Sequence, residues 1–378
     1  MVLPNLAIVK FFRKLKDPRV KRRKRHLLLD IIAIAICAVI AGCDDWQQIE
    51  AFGKHRLEWL KQFLQLPNGS PSHDTFERVF DRLNPAAFQA CFRDWMHALC
   101  DALGLKHIAI DGKTLCGSRS GKLKALHLVS AWAVNNHLTL GQVATDEKSN
   151  EITAIPQLLE LLSLKGALVT IDAMGCQKNI AAKIVDGGGD YLLTVKDNQP
   201  TLLADIQDSF IQAHDTNFAG LDYDEYETTD CGHGRIETRT YTIIKNPTTL
   251  QQKDLWAELK VIGMCVARRV VKDKESVEVR YFIGSRLASA KKYGITLRGH
   301  WGIENNLHWQ LDVSFDEDSN RVSKRHGAEN LALLRKLALT LLKRHPEKRS
   351  IVCKRLIAAI NPTFLEEVLT GQVNPGKA

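Results

Sequence analysis

A chain of 378 residues is longer than one ordinary core, so we expect two or three structural units. Hydrophobic residues make up 45% and charged residues 25% of the chain, proportions that exclude wholesale disorder and a fibrous repeat. The formal net charge of +9 modestly favours a polyanionic partner, because Lys and Arg displace counterions from phosphates.

The first segment with a distinct character is KFFRKLKDPRVKRRKR, at residues 10–25, which carries a single acid, Asp17. Two interpretations are equally open: a solvated helix end or flexible arm, and a direct contact with phosphate. The following LLLDIIAIAICAVIAG looks like a signal peptide or membrane anchor, but Asp30 interrupts it and the uninterrupted part is shorter than the ~20 residues of a span. We therefore predict a buried helix and no membrane association.

Residues 1–100 are predicted to form a helical N-terminal domain with a DNA-binding role. Apolar periodicity indicates helices near 27–42 and 45–65, followed by helices over HDTFERVFDRL and PAAFQACFRDWMHALCDAL. Pro85 is well placed at the start of the last of these, because the first helical position tolerates a missing N–H.

The pattern then changes to short apolar, β-branched runs. Three of them, HIAIDGKTL, ALHLVSAWAV and LTLGQVATD, predict sequential strands, and helical and strand patterns alternate afterwards through DYLLTVK. This order indicates an α/β fold with a mixed sheet of the ribonuclease H-like kind, formed by residues 101–221 and 287–345. Residues 222–286 are predicted to be a β-rich insertion, and residues 346–378 a C-terminal tail.

The nine cysteines include no CxxC pair and no Cys/His cluster with zinc spacing. We interpret them as buried free thiols of a reducing cytosol, which predicts a cytoplasmic protein that is nucleoid-associated when bound to DNA.

Two aspartates lie at the ends of apolar strands of the predicted sheet. Asp111 ends the apolar strand HIAID and Asp172 ends ALVTID, so we expect each carboxylate to emerge at a sheet edge where the backbone turns away. A single aspartate at a strand end often only caps the next turn, but two in one sheet can meet at a common rim and hold a divalent cation through hard oxygen ligands.

A two-metal site needs a third acid. Glu304, in LRGHWGIENNLHWQLDVSFDED, is the strongest candidate because Trp301 and His308 lie about one helical turn away on either side. The alternatives are an exposed helical Glu304, or one of the neighbouring acids in its place: Asp312, Asp316, Glu317 and Asp318.

The chain resembles the bacterial insertion-sequence DDE transposases, specifically the group that includes the H-repeat-associated proteins found near Rhs elements. The matching blocks span nearly the whole chain in order: AGCDDWQQIEAFG, HDTFERVF, IAIDGKTL, TDEKSNEITAIPQLLELL, TIDAMGCQKNIA, GDYLLTVKDNQ, GHGRIETR and HWGIENNLHWQLDVSFDED. The resemblance implies a ribonuclease H-like core in which Asp111, Asp172 and Glu304 are the catalytic and metal-binding triad.

On this basis we hypothesise that the triad binds two Mg²⁺ ions, which Mn²⁺ can replace, and that the enzyme cleaves DNA at the ends of a mobile element and joins them to a target. Pairing two element ends implies a homodimer or higher oligomer on DNA. A plain metal-dependent nuclease and a non-catalytic DNA-binding relic remain the alternatives.

Several basic or aromatic residues are candidate DNA contacts. GHGRIETR forms either a phosphate-gripping turn and strand or a hairpin that faces water. The wider family often has Tyr, Arg and Lys around the catalytic Glu, where this chain has Leu297, His300 and Leu311, which leaves the phosphate contacts there open. The full set of candidates is Lys113, Lys196, His233, Arg235, Arg239, Arg298, His300 and Trp301.

Overall fold

A nine-stranded mixed sheet forms the centre of the computed structural model, which describes residues 10–20, 24–100, 106–119, 124–145, 150–232, 234–272 and 274–371. The strands are β1 (His107–Leu115), β2 (Leu126–Ala133), β3 (Leu138–Ala144), β4 (Leu168–Ile171), β5 (Asp190–Val195), β6 (Tyr223–Gly232), β7 (Arg235–Lys245), β8 (Val261–Val271) and β9 (Lys274–Gly284). Their order across the sheet is β3-β2-β1-β4-β5-β9-β8-β7-β6. The predicted mixed α/β architecture is confirmed.

Helices cover this sheet and form the N-terminal and C-terminal parts of the described chain. They are α1 (Leu28–Ile40), α2 (Trp46–His55), α3 (Leu57–Leu60), α4 (His73–Arg82), α5 (Pro85–Cys100), α6 (Glu151–Glu160), α7 (Lys178–Asp186), α8 (Pro200–Asp215), α9 (Ala290–His300), α10 (Trp309–Phe315), α11 (Gly327–Arg344), α12 (Ile351–Ile360) and α13 (Pro362–Thr370). A π-helical turn, Glu304–His308, lies between α9 and α10.

The pairing of β1 brings the two candidate aspartates together. β1 is antiparallel to β2 and parallel to β4, and its last pair with β4 is Ile110 with Ile171. Asp111 and Asp172 each follow that pair by one residue, so they lie side by side where the two strands separate. The prediction that β1 ends at Asp111 was wrong, because antiparallel pairing with β2 carries the strand on to Leu115.

The β-rich region is continuous with the core sheet. β9 pairs antiparallel with β5, and β8, β7 and β6 extend the sheet outward in turn. β6 lies in the region predicted to be β-rich, although its sequence YDEYETTDCG is mostly polar and exposed and lacks an apolar face. Its partner β7 supplies the buried side of this outer hairpin.

The helix α1 is buried at nearly every position, as expected for a helix that is apolar all round. Its one acid, Asp30, accepts a hydrogen bond from the backbone N–H of Leu66 at 3.0 Å, and burial raises the pKa of this carboxyl. Within the described parts of the chain, no helix is both long and apolar enough to cross a membrane. The helix α1 packs against α11, so the N-terminal helices share one hydrophobic core with the rest of the chain.

Two helical features differ from the predictions. The amphipathic segment expected near 45–65 is broken at Arg56 into α2 and α3. The segment predicted as a tail contains α12 and α13, and Arg355 of α12 joins them to the N-terminal helices through Asp44, at 2.7 Å, and the carbonyl of Val39. A basic side chain buried in this way was not evident from the local sequence.

The basic N-terminal segment is tied down in the part that is described. Asp17 accepts bonds from Arg19 at 2.9 Å and lies 3.3 Å from Lys24, while Phe12 packs on Phe88. Of the described cysteines, Cys116 and Cys231 are exposed, so the prediction of buried thiols was wrong for these two.

Candidate active site

The two aspartates occupy a recessed rim of the sheet. The Oδ1 atom of Asp172 accepts bonds from the backbone N–H groups of Met174 at 3.1 Å and Gly175 at 3.4 Å, which orients the carboxylate. Burial raises the pKa of Asp111 to about 7, and the negative charges of Asp172 and Glu304 push it in the same direction. The charge of Glu304 has a smaller effect on Asp111 than that of Asp172, and the Glu304 side chain is exposed.

Glu304 begins the π-helical turn that follows α9. Such turns are rare and occur frequently at functional sites, because the wider turn displaces side chains from α-helical positions. At the far end of the turn, Nδ1 of His308 lies 3.4 Å from Oδ2 of Asp111. Burial lowers the pKa of His308 to about 3, with nearby lysines acting in the same direction, so the imidazole is neutral.

Three of the four neighbouring acids that competed with Glu304, namely Asp312, Glu317 and Asp318, pair with Lys113 instead. Lys113 donates to Asp312 and, at 3.0 Å, to Glu317, and it lies 3.6 Å from Asp318. The side chain of Lys113 is only 11% exposed. These carboxylates surround the amine of Lys113, which lies two residues beyond Asp111 on β1. The amine is therefore already paired with carboxylates of the protein.

His300 is held inside the protein. Its Nδ1 and the Nε2 of His107 both bond to the Thr170 hydroxyl, each at 2.9 Å. Burial lowers the pKa of His300 to about 4, so the ring is neutral. Thr170 and the two imidazoles thus join the end of α9 to β1 and β4, immediately before the chain reaches Glu304.

The outer strands border an open cleft next to Ile171, lined among others by Arg239, Arg280, Arg298 and Trp301. Arg239 is buried and paired with Asp230, at 2.7 Å, and with Glu237. Two guanidinium groups lie over the ring of Trp301, that of Arg280 at 4.8 Å and that of Arg298 at 5.5 Å from the ring centre. This side of the site combines an aromatic surface with cations.

Two further predicted DNA contacts are exposed. Lys196 follows β5, and its positive charge opposes the rise that burial causes in the pKa of Asp172. Arg235 begins β7, with its Nε 3.9 Å from Glu237. His233, predicted in the same turn, lies outside the described residues.

The sequence reasoning missed one acid at this site. Glu151, the first residue of α6, has its carboxylate against the backbone of Gly112, and its charge raises the pKa of both Asp111 and Asp172. Its Oε1 lies 2.8 Å from Nε2 of His127. The only available signal was its place in the block TDEKSNEITAIPQLLELL, which carries no recognisable metal-ligand spacing.

The chemistry of these side chains fits a divalent cation. Among the described residues, no three His, Cys, Asp or Glu side chains already stand at coordinating positions. However, carboxylates that raise one another's pKa are hard oxygen donors whose repulsion a bound cation would offset. The buried Nε2 of His308 also has no hydrogen-bond partner among the described residues.

Comparison with known proteins agrees with the resemblance. The family described as Transposase DDE domain matches residues 103–341, and the family described as DDE_Tnp_1-associated matches residues 9–96. The chain is 42% identical to "Putative transposase YncI" of Escherichia coli O157:H7, covering 96% of this chain and 94% of that one. It is 39% identical to "H repeat-associated putative transposase YhhI" of Escherichia coli strain K12, covering 94% and 95%.

One solved structure is also similar at low identity: a cryo-EM structure of the piggyBac transposase synaptic complex with hairpin DNA, with a TM-score of 0.42 and 10% identity, covering 97% of this chain and 78% of that one. The sequence matches carry the assignment, since one family alone covers well over half of the residues. The chain therefore belongs to the transposase DDE domain family.

Proposed function

We propose that this protein is a DDE transposase that cleaves DNA at the ends of a mobile element and transfers the freed ends to target DNA. The observation that supports the proposal is the parallel pairing of Ile110 with Ile171, which sets Asp111 and Asp172 side by side at the ends of the paired part of β1 and of β4. Glu304 begins the turn after α9, and His308 at the other end of that turn lies 3.4 Å from Asp111.

Asp111, Asp172 and Glu304 would hold two Mg²⁺ ions, or Mn²⁺ in their place, and the ions would activate the attacking oxygen and stabilise the leaving oxygen. The protein itself contributes the positions of these side chains. Backbone N–H groups orient Asp172, the pair of strands fixes Asp111, and the contacts of His300 with Thr170 fix the end of α9. These contacts position the carboxylates, and the proposed reaction involves no covalent protein–DNA intermediate.

The arrangement of the first five strands supports a ribonuclease H-like core. The strands β1, β2 and β3 pair in antiparallel order, whereas β4 is parallel to β1 and β5 is parallel to β4. Along the chain, α6 connects β3 to β4 and α7 connects β4 to β5. In such α/β sheets, functional side chains gather outside the carboxyl ends of the parallel strands. Asp111 and Asp172 lie at those ends.

The proposed DNA contacts are the half-buried Trp301, which presents an aromatic surface, and three exposed cations, Lys196, Arg235 and Arg298. Lys113, Arg239 and His300 have protein partners already, and they contribute to DNA binding only if those bonds are exchanged. We also propose that two copies act together on DNA, one for each element end, within the nucleoid.

The test uses labelled element-end DNA with Mg²⁺ and compares the protein with Asp111→Asn. Asp208→Asn, an exposed aspartate on α8, is the matched control. We expect Mg²⁺-dependent cleavage and joining in the parent and the control, and a loss of several orders of magnitude in rate for Asp111→Asn with DNA binding retained.

Two results would replace the proposal with a rival. Cleavage of intact DNA without joining of pre-cut ends would identify a nuclease. Binding of DNA with no cleavage in Mg²⁺ or Mn²⁺ would identify a DNA-binding relic.

A further inference from the structure

Glu151 has an orientation that helix capping does not explain. An acid in the first turn of a helix favourably meets the helix dipole, and an exposed side chain is sufficient for that. Asn150 already caps α6 by accepting from the backbone N–H of Ile152 at 3.1 Å. Glu151 is instead only 14% exposed and turns inward over Gly112, beside Asp111.

A second residue holds the carboxylate in this inward position. His127 on β2 contacts Oε1 of Glu151 through Nε2 at 2.8 Å and the Thr114 hydroxyl through Nδ1 at 2.8 Å. A carboxylate oxygen can only accept, so the Nε2–H of His127 donates to Glu151, while Nδ1 is paired with the Thr114 hydroxyl. The imidazole is thereby fixed in one orientation, in the way that outer partners fix metal-binding side chains.

The backbone at residue 112 leaves room for this carboxylate. A Cβ atom at Gly112 would collide with Oε1 and Cδ of Glu151 and with Nε2 of His127. Gly112 directly follows Asp111 in β1, so the absence of a side chain here is what lets Glu151 approach the aspartate rim. Electrostatics agree, because the charge of Glu151 is the largest of the charge effects on Asp172.

An imidazole also lies beside the rim, with one ring nitrogen facing Asp111 and the other facing away from it. His308 lies 3.4 Å from Asp111 through Nδ1 and is 12% exposed, and its other ring nitrogen has no partner within the described chain. A buried polar atom without a partner is unfavourable, and ordered ions or water commonly supply one.

We propose that Glu151 is a fourth carboxylate of the divalent-cation site and that His127 positions it. The inference rests on the proposed function, since it assumes that Asp111 and Asp172 hold a cation. Glu151 adds negative charge and an oxygen donor on the Gly112 side of the aspartates, while His127 keeps that donor from turning to solvent.

The test measures Mn²⁺ binding in the absence of DNA, by the electron paramagnetic resonance signal of free Mn²⁺ and by the rise in melting temperature that Mn²⁺ causes. Glu151→Gln keeps the shape of the side chain and removes its charge. Glu160→Gln, at the exposed end of the same helix, is the matched control. We expect the Kd for Mn²⁺ to rise at least about tenfold in Glu151→Gln and to stay at the parental value in Glu160→Gln.

Two further variants act on Glu151 through its neighbours. Gly112→Ala should displace the carboxylate and weaken Mn²⁺ binding, and His127→Gln should weaken it less, because the carboxylate remains but is no longer held. Either variant decides the question if Glu151→Gln fails to fold.

The outcomes separate this inference from the proposed function. Parental Mn²⁺ affinity in Glu151→Gln, together with lost affinity in Asp111→Asn, overturns the fourth carboxylate and leaves the triad intact. No Mn²⁺ binding by the parent, or unchanged binding by Asp111→Asn, overturns both.

Discussion

Replacing Lys113 by Met distinguishes a structural amine from a DNA contact. The amine lies among Asp312, Glu317 and Asp318, with its side chain 11% exposed and that of Glu317 only 1% exposed. Asp312 and Asp318 are 33% and 42% exposed, so water can replace the lysine for them. The carboxylate of Glu317 is too buried for water to replace the lysine, so most of the loss in unfolding free energy arises at Glu317.

Removing one partner of a buried ion pair costs about 3–5 kcal/mol, because the remaining charge stays buried. Arg335 lies 3.9 Å from the other oxygen of Glu317 and offsets part of this loss. We therefore expect Lys113→Met to lower the free energy of unfolding by about 3 kcal/mol. For a chain of this size, that corresponds to a fall of about 4 °C in melting temperature.

Urea unfolding followed by tryptophan fluorescence measures this change, alongside DNA binding at several salt concentrations. The double variant Lys113→Met, Glu317→Gln should recover part of the loss, with a coupling of about 1–3 kcal/mol, because it removes the stranded charge. Lys324→Met, an exposed lysine paired with Glu77 at 2.7 Å, should unfold at the parental urea concentration. Parental stability in Lys113→Met, with weaker DNA binding and a smaller salt dependence, would show that the amine contacts DNA instead.

Three other substitutions test the contacts around the site and between the terminal helices. Thr170→Val should lower the free energy of unfolding by about 1–3 kcal/mol, because the two buried imidazoles lose their shared partner, whereas Thr170→Ser should stay close to the parent in the same urea titration. Arg355→Met should lower the free energy of unfolding by about 3 kcal/mol and make α12 and α13 sensitive to limited proteolysis. The exposed Arg349→Met should behave as the parent, and equal digestion of the two variants would contradict this. Lys196→Gln should reduce the slope of log K for DNA against log salt by about 1 without changing stability, and an unchanged slope would remove Lys196 from the proposed contacts.

Much of the site follows from local sequence. Asp111 and Asp172 are recognisable because each follows an apolar β run, and two such ends in one sheet share a rim. Glu304 is recognisable only with the family resemblance, since its own surroundings contain several acids of equal promise. Glu151 escaped notice because a glutamate at the start of a helix is ordinary in sequence.

Periodicity and turn residues, which report on neighbours within a few positions, determined most of the helices and strands, including the buried α1 and the three strands that open the sheet. Only the tertiary structure decided that the β-rich region continues the core sheet, that Lys113 pairs with the acids after α10, and that His127 turns Glu151 toward the aspartates. The physical reason is that hydrogen bonds, ion pairs and burial depend on side chains that packing brings together from distant parts of the chain, and no local pattern records those neighbours.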